Sequence, residues 1–358
     1  MKILLFTDSL GAGGAQRQLV GLACMLKNNG YQVSVVTYYS FDFYKHILDS
    51  NGIDNTVIPE AISALNRIFK VRKYIKSCAP DWVIAYQETP SFIACVAKLL
   101  GCKVKLLVSE RNTTQIITFK DRVRFLLYRV ADKIVPNSYT QAEFLLGNYP
   151  WMKNKLRTIT NFVDLNKFNY NVKNLNVPPL IIVVSSIWPP KNTIGMIEAV
   201  RVLASLDYRF RVEWYGLVEG QEKYVKQCVD LISEYEISEY IKLLPKVKNI
   251  EDKYKECDFF CLPSFYEGTP NVICEAIATG RPVICSDVCD NSIYVREGVN
   301  GFLFNPKDCD ELVHSLIKAF KLDPNEYMKM SENSRMIAEN ILGETVFFNK
   351  YNDILTQD

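Results

Sequence analysis

The chain has 358 residues, of which 48% are hydrophobic and 23% charged. That is material for about two domains with cores of their own, and it excludes a disordered, collagenous or coiled-coil protein. Lys and Arg number 42 against 40 Asp and Glu, a formal net charge of +2, which excludes a nucleic-acid polycation when the chain is taken whole.

Short apolar runs alternate with helix-length amphipathic stretches. Lys2–Thr7 is predicted as a strand, Ala15–Asn29 as a helix closed by Gly30, and Gln32–Tyr38 as a second strand. Ile62–Lys76 and Thr89–Leu100 read as helices, with Trp82–Gln87 and Val104–Ser109 as the strands that follow them and Arg157–Asn161 as the last strand of this half. Residues 166–179, rich in Asn and ending in Pro178-Pro179, read as a linker. The alternation restarts with strand Leu180–Ser185, helix Thr193–Leu206, strand Arg211–Tyr215 and a helix through Lys223–Glu234, then strands Phe259–Leu262 and Val283–Ser286.

Strands rich in Val and Ile between helix-length segments indicate doubly wound parallel sheets, an α/β architecture. The expected organisation is a first domain over residues 1–165, the linker, a second domain over 180–342 and a tail over 343–358. Two such units joined by a hinge are expected to bind ligands in a cleft at the carboxyl ends of their sheets. Charge divides along the same line. Residues 1–170 carry 22 basic and 12 acidic side chains, whereas residues 171–358 carry 20 and 28, so the halves are expected to meet different partners.

Eleven cysteines, an odd number, are scattered through apolar segments and read as small buried hydrophobes in a reducing compartment. Cys257 and Cys261 flank an apolar strand, a structural placement. With only His46 and His314 present, no pair has the usual zinc spacing. After Met1-Lys2 the apolar run Ile3–Phe6 stops at Thr7-Asp8, too short for a signal-peptide core, and no run of 18 apolar residues occurs. The expected location is cytoplasmic, either in solution or peripheral on the inner face of the cytoplasmic membrane.

Three stretches carry chemistry. Gly11-Ala12-Gly13-Gly14-Ala15-Gln16 follows the first strand and opens the first helix. Glycines there let backbone approach a phosphate, and the helix start attracts an anion; a plain tight turn is the alternative. A dinucleotide fingerprint is disfavoured, because Gln16 stands where the third glycine belongs and no acidic residue ends the second strand. Further on, Ser264-Phe265-Tyr266-Glu267-Gly268-Thr269-Pro270-Asn271-Val272-Ile273-Cys274-Glu275-Ala276 runs from a strand through a loop into a helix starting near Asn271. The first-turn amides of that helix suit a diphosphate, one carboxylate can contact a sugar, and the other can accept hydrogen bonds from a ribose diol. A solvated glutamate pair is the alternative. Asp308-Cys309-Asp310 reads as helix-capping carboxylates rather than a metal site, and no metal ligand is predicted.

Glu267 and Glu275 in the setting EGTPNVICEA, followed by Gly280-Arg281-Pro282-Val283-Ile284-Cys285-Ser286-Asp287, resemble the signature of retaining glycosyltransferases of family 4. That resemblance implies the GT-B fold: two Rossmann-like domains facing across a cleft, with a C-terminal helix, here around Thr345–Tyr351, crossing back to the first. The Gly11–Gly14 turn resembles the family's phosphate loop, and Asn161-Phe162-Val163-Asp164 its "NGVD" segment. Ser185-Ser186-Ile187-Trp188-Pro189-Pro190-Lys191-Asn192 is similar to its "GR…K(N/G)" loop, and Tyr215-Gly216 to its "G.G" turn.

Carried over by position, the resemblance makes Glu267, Lys191 and Arg111 the candidate catalytic residues. Glu275 is placed at the ribose and Lys191 at the departing diphosphate. Gly13, Gly14, Ser186, Asn192, Gly268, Thr269, Pro270, Asn271 and Val272 complete the donor contacts. Two departures stand out. Ser186 replaces the family's usual arginine. Val108-Ser109-Glu110-Arg111-Asn112-Thr113 lies where a histidine is common, and it resembles a subset acting in bacterial surface-polysaccharide and lipid-linked oligosaccharide assembly. Arg111 either supplies positive charge at the cleft or pairs with Glu110.

The implied reaction moves a hexose or N-acetylhexosamine from a nucleotide diphosphate sugar, UDP being the family's commonest nucleotide, to a carbohydrate or lipid-linked acceptor. No further cofactor and no nucleic acid is implied. A catalytically silent sugar-nucleotide-binding subunit and an epimerase or hydrolase of the same fold are the alternatives. Arg67, Lys70, Arg72, Lys73 and Lys76 accompany Ile62, Leu65, Phe69 and Ile75, and Lys120, Arg122, Arg124 and Arg129 accompany Val123, Phe125, Leu126 and Leu127. Each set is either a face for an anionic membrane surface or a solvated helix whose apolar side packs on the sheet.

Overall fold

A computed structural model describes residues 1–58, 63–112, 114, 116–217 and 220–357. The chain divides into two units, one comprising Met1–Phe162 with Thr345–Asp358 and the other Val163–Glu344.

The first unit is built on six parallel strands: β1 (Lys2–Phe6), β2 (Gln32–Thr37), β3 (Asp54–Val57), β4 (Trp82–Tyr86), β5 (Lys105–Glu110) and β6 (Lys133–Pro136), in the order β3-β2-β1-β4-β5-β6. Register follows burial: Ile3, Leu4, Leu5 and Phe6 lie beside Val33 to Val36 on one side and beside Trp82 to Ala85 on the other. A strand flanked on both sides and covered on both faces must be apolar along its buried length, and β4 and β1 from Ile3 onward are. The last helix, Glu344–Thr356, completes this core, with Phe347, Tyr351, Ile354 and Leu355 packed among Leu19, Leu22, Trp82 and Tyr86.

The second unit repeats the plan with β7 (Leu180–Val184), β8 (Arg211–Leu217), β9 (Ile241–Pro245), β10 (Phe259–Leu262), β11 (Val283–Ser286) and β12 (Gly301–Phe304), ordered β12-β11-β10-β7-β8-β9 and again all parallel. In each sheet the strand order reverses once, between β1 and β4 and between β7 and β10. Ligands in such sheets bind outside the carboxyl ends of the strands at that reversal, so the loops after β7 and β10 are the places to look.

One expectation needs correction. Arg157–Asn161 is not a strand. Its amides follow β6, with Arg157 N–H donating to Ile134 O at 2.9 Å and Ile159 N–H to Pro136 O at 3.1 Å, but only an isolated bridge between Ile134 and Leu156 forms. The last strand of that sheet is β6. In the segment 166–179, Asp258 gathers the chain. Its buried carboxylate accepts from Lys173 Nζ (2.6 Å), Asn176 N–H (3.0 Å), Asn176 Nδ2 (3.0 Å) and Leu180 N–H (2.7 Å). A carboxylate withdrawn from water needs such donors, and these tie the segment to the amino ends of β7 and β10.

All eleven cysteines are free thiols, and Cys257 and Cys261 are fully buried. Burial pushes the Cys257 thiol up to about 12. Asp308 caps the helix Cys309–Phe320 by accepting from the amides of Asp310 and Glu311. No helix among the described residues is long and apolar enough to cross a membrane.

Candidate active site

The loop after β7 is shaped by close packing. Trp214 Nε1–H donates to Ser185 O at 2.8 Å, and Ile187 N–H to Gly216 O at 3.3 Å. A Cβ on Gly216 would stand 1.8 Å from Ser185 O, so only glycine lets β8 lie against this turn. Gly216→Ala should therefore lower stability by about 1–3 kcal/mol, the usual cost of overpacking, measured by urea unfolding; unchanged stability would show that the turn yields freely. Past Ser186, which is half-buried, Pro189–Lys191 forms a single tight turn. Asn192 ends it in a left-handed conformation (φ 57°) with Nδ2–H donating to Pro306 O at 3.1 Å. That fixes the direction in which Lys191 leaves the loop.

After β10, Ser264 is buried and accepted into the fold by Ser286, whose Oγ–H donates to Ser264 O at 2.6 Å. Phe265 N–H donates to Pro190 O at 2.9 Å, which joins the two loops across the strand-order reversal. The result is one contact of consequence. Lys191 Nζ lies 2.6 Å from Glu267 Oε1, and Ser264 Oγ–H donates to the same oxygen at 2.6 Å. The two side chains are 25% and 11% exposed, so the pair is formed yet reachable. Arg281 does not stand in for the arginine missing at Ser186. Its guanidinium is buried and donates to Asn171 O (2.6 Å) and Tyr327 Oη (3.4 Å).

The helix Asn271–Ala278 begins directly after Thr269-Pro270 with no side-chain cap. Glu275 sits one turn in, buried, and accepts from Tyr254 Oη–H at 3.3 Å; that hydroxyl also faces Val272 O at 3.2 Å. Glu267, Gly268, Thr269, Pro270, Asn271, Val272, Glu275, Lys191, Asn192 and Ser186 are thus all carried by the two loops and one helix that border the reversal of the second sheet. A cavity of about 350 Å³ adjoins Asn192 and Phe265 in this unit.

Gly13, Gly14 and Arg111 belong to the first unit. Gly13 precedes the helix Gly14–Asn28, again without a side-chain cap. A Cβ on Gly13 would meet Gln16 Oε1 at 2.2 Å, and Gln16 Nε2–H donates to Asp8 Oδ1 at 3.0 Å, so Gln16 folds over the glycine turn. At the end of β5, Glu110 and Arg111 part company. Glu110 is fully buried and held by Tyr128 Oη–H and by Arg124, whose Nη2 is 3.3 Å from Oε2. Burial pushes its carboxyl up to about 6 against the pull of Arg124 and Tyr128. Arg111 is 8% exposed, lies with Cζ 4.4 Å from the centre of the Tyr86 ring, and donates from Nη2 to Tyr86 Oη at 3.0 Å. The pairing of Arg111 with Glu110 is therefore not what forms, because Arg124 takes that carboxylate.

Arg124, expected as a surface cation, is 5% exposed and bridges Glu88 (3.0 Å), Glu110 and Asp121 (3.1 Å). Phe125 beside it is fully buried. In the other basic helix, Ala64–Cys78, the buried face is Ile68, Val71 and Ile75, while Leu65 and Phe69 are exposed; Ile62 and Thr113 lie outside the described residues. Sequence reasoning missed Ser264, Tyr254, Tyr86 and Arg124 as partners of site residues. Ser264 lies three residues from Glu267 in the same loop, whereas Tyr254, Tyr86 and Arg124 are 21, 25 and 14 residues from their partners, so nothing local signals those three.

The architecture and the loops together define a sugar-transferring enzyme of the GT-B fold, and comparison with known proteins agrees. The model for glycosyl transferases group 1 matches residues 166–336, and that for glycosyltransferase family 4 matches residues 12–167. The chain is a glycosyltransferase that carries a family 4 domain followed by a group 1 domain. It is 25% identical over 304 residues, 80% of each chain, to a Campylobacter jejuni N-acetylgalactosamine-N,N'-diacetylbacillosaminyl-diphospho-undecaprenol 4-alpha-N-acetylgalactosaminyltransferase. Its fold is similar to that of a glycosyltransferase from Rickettsia africae (TM-score 0.87, 18% identity, 99% and 98% of the two chains). It is also similar to Anabaena HepE in complex with UDP (TM-score 0.86, 19% identity, 100% of each chain).

Proposed function

We propose that this glycosyltransferase moves a hexose or N-acetylhexosamine, with retention of configuration, from a UDP-sugar to a carbohydrate or lipid-linked saccharide acceptor. The observation that carries the reading is the Lys191–Glu267 contact at the strand-order reversal, beside the uncapped start of Asn271–Ala278. Charge grows on the departing diphosphate in the transition state, and a pre-placed ammonium with backbone N–H groups lowers that barrier. In this reading Lys191 turns from Glu267 to the diphosphate, Glu267 meets the donor-sugar hydroxyls, and Glu275 accepts from the ribose diol. Gly268 through Val272 line sugar and phosphate, with Ser186 and Asn192 beside them. The second unit, residues 180–342, holds the donor; the first, residues 1–165, holds the acceptor, with Gly13 and Gly14 completing the donor contacts and Arg111 as an anion-facing catalytic residue. Retention follows from attack of the acceptor hydroxyl on the face the diphosphate leaves. No resident cofactor takes part.

The UDP-bound neighbour supports the donor, and the diphospho-undecaprenol substrate named for the Campylobacter relative supports the acceptor. Glu275→Ala should weaken UDP binding by losing charge-assisted hydrogen bonds; unchanged affinity by calorimetry would sink that assignment. The anomeric coupling of the product, read by NMR, tests retention directly.

A lipid-linked acceptor places the enzyme at a bilayer, and the first unit is suited to one. Leu65 and Phe69 are 68% and 55% exposed on the helix that carries Lys70 and Lys73. Phe119 and Leu126 are exposed on the helix that carries Lys120 and Arg122. Cations near an anionic leaflet contribute about 1 kcal/mol each, screened within a Debye length. The protein should float with anionic vesicles at low salt and be released at high salt. Staying in the soluble fraction at low salt, with unchanged activity of an Arg72/Lys73/Lys76→Glu variant, would contradict peripheral attachment.

A further inference from the structure

Arg111 presents an imbalance. It is more than nine-tenths buried, yet it enters none of the ion pairs among the described residues, and its Nε and Nη1 have no hydrogen-bond partner there. A buried cation without a counter-charge is costly and is kept only where something holds it. What holds this one is a pair of phenols. Nη2 donates to Tyr86 Oη at 3.0 Å, the guanidinium lies over the Tyr86 ring, and Tyr86 Oη stands 2.8 Å from Tyr351 Oη. Tyr86 and Tyr351 are both fully buried. Burial pushes the Tyr86 hydroxyl well above its ordinary value, so it is a neutral phenol and not a counter-anion.

The three groups form one chain of hydrogen bonds. The Tyr86 oxygen turns a lone pair to the cation and shares a second hydrogen bond with Tyr351 Oη, in which either oxygen can donate. Groups in such a chain polarise one another, so the cation's position depends on a hydroxyl it never touches. Tyr351 sits on the last helix, Glu344–Thr356, about 240 residues downstream of Arg111. Nε and Nη1 between them keep three N–H donors, the chemistry that meets phosphate oxygens.

We propose that Tyr351 is a positioning residue for the transfer reaction, setting the Arg111 guanidinium through the Tyr86 hydroxyl so that its remaining N–H donors meet a phosphate oxygen. The proposal rests on the functional reading given above for Arg111. The phosphate has two sources, the nucleotide sugar and a diphosphate-linked acceptor, and kinetics separates them. Tyr351→Phe raises KM for the acceptor if the oxygen is the acceptor's, and lowers kcat at saturating acceptor if it is the leaving group's.

The test is a double-mutant cycle on the full-length chain, read together with the arginine Nε–H resonances in a ¹H–¹⁵N spectrum, where Arg111→Lys identifies the Arg111 signal. Tyr351→Phe keeps the ring and its packing. It should lower kcat/KM by about threefold to tenfold, the worth of one buried hydrogen bond, and should shift or broaden the Arg111 Nε–H signal. Tyr351→Phe should add nothing once Arg111 is alanine. Tyr351→Leu, which also removes the ring, controls for packing through its lower Tm. An undiminished Tyr351→Phe effect in the Arg111→Ala background, or an unmoved Arg111 signal, overturns the proposal. If the signal moves in Tyr351→Phe while the wild-type protein turns over no UDP-sugar, the positioning stands and the functional reading is overturned instead.

Discussion

Lys191→Ala should lower turnover at least about tenfold, on the order of 1.4 kcal/mol of transition-state stabilisation. On the proposed reading, Ser186 stands where the family resemblance expects arginine, so the loop after β7 would offer the diphosphate one cation fewer. Lys191 is the ammonium this loop brings to Glu267, at 2.6 Å. Its removal leaves Glu267 bonded to Ser264, so the loop should stay folded. A partly exposed ion pair contributes only about 0–1 kcal/mol to stability, so Tm should hardly move while kcat falls. Steady-state kinetics at saturating donor, beside a thermal melt, separates the two effects. Wild-type kinetics would remove Lys191 from the site.

The largest loss of stability is expected at Arg124→Ala, about 3–5 kcal/mol, because a fully buried Glu110 would lose its counter-charge. Tyr128 would remain as its donor. The sign with pH follows from the raised carboxyl. Glu110 titrates at about 6 in the folded protein against an ordinary 4.5. Between those values the folded chain binds the proton more tightly, so this group's contribution to stability falls as pH rises through the window and levels off above it. Without Arg124 the carboxyl is pushed higher still. The deficit of the variant should therefore be larger at pH 7 than at pH 5, where a protonated Glu110 needs no cation. Urea unfolding at both values measures it, and an equal deficit at both would show that Glu110 is not the group responsible.

The strands legible in the sequence and those that were not divide by position in the sheet. β1, β2, β4, β5, β7, β8, β10 and β11 stand out as largely apolar runs, because interior strands of a parallel sheet are covered on both faces. The unannounced ones, β3, β6, β9 and β12, are the four edges. Asp54–Val57 has no fully buried residue, and Lys133–Pro136 and Gly301–Phe304 have four residues each. Edge strands are kept short or polar, which removes the periodicity that reveals a strand. Arg157–Asn161 misled for the converse reason: its Ile159 is buried beside β6 without pairing as a strand.

The candidate site divides differently. Ser264–Ala276 is recognisable because glycine, proline and two carboxylates sit at fixed spacings within it, and Ser185–Asn192 because a lysine and an asparagine follow two prolines. The contacts between them are not, since Lys191 and Glu267 lie 76 residues apart and meet only because β7 and β10 are neighbours. The same holds for Arg111. Its sequence neighbour Glu110 is the obvious partner, but adjacent residues of a strand point to opposite faces. Glu110 turns to Arg124 and Tyr128, and Arg111 to Tyr86.

The most direct test of the central claim is turnover of a panel of UDP-sugars by the wild-type protein, with undecaprenyl-diphosphate-linked saccharides extracted from cells as acceptors. Release of UDP would be followed together with label in the lipid fraction. One donor should give equal amounts of UDP and lengthened acceptor, and Lys191→Ala should depress both together. Tight UDP binding with neither UDP release nor labelled acceptor from any donor in the panel would contradict it.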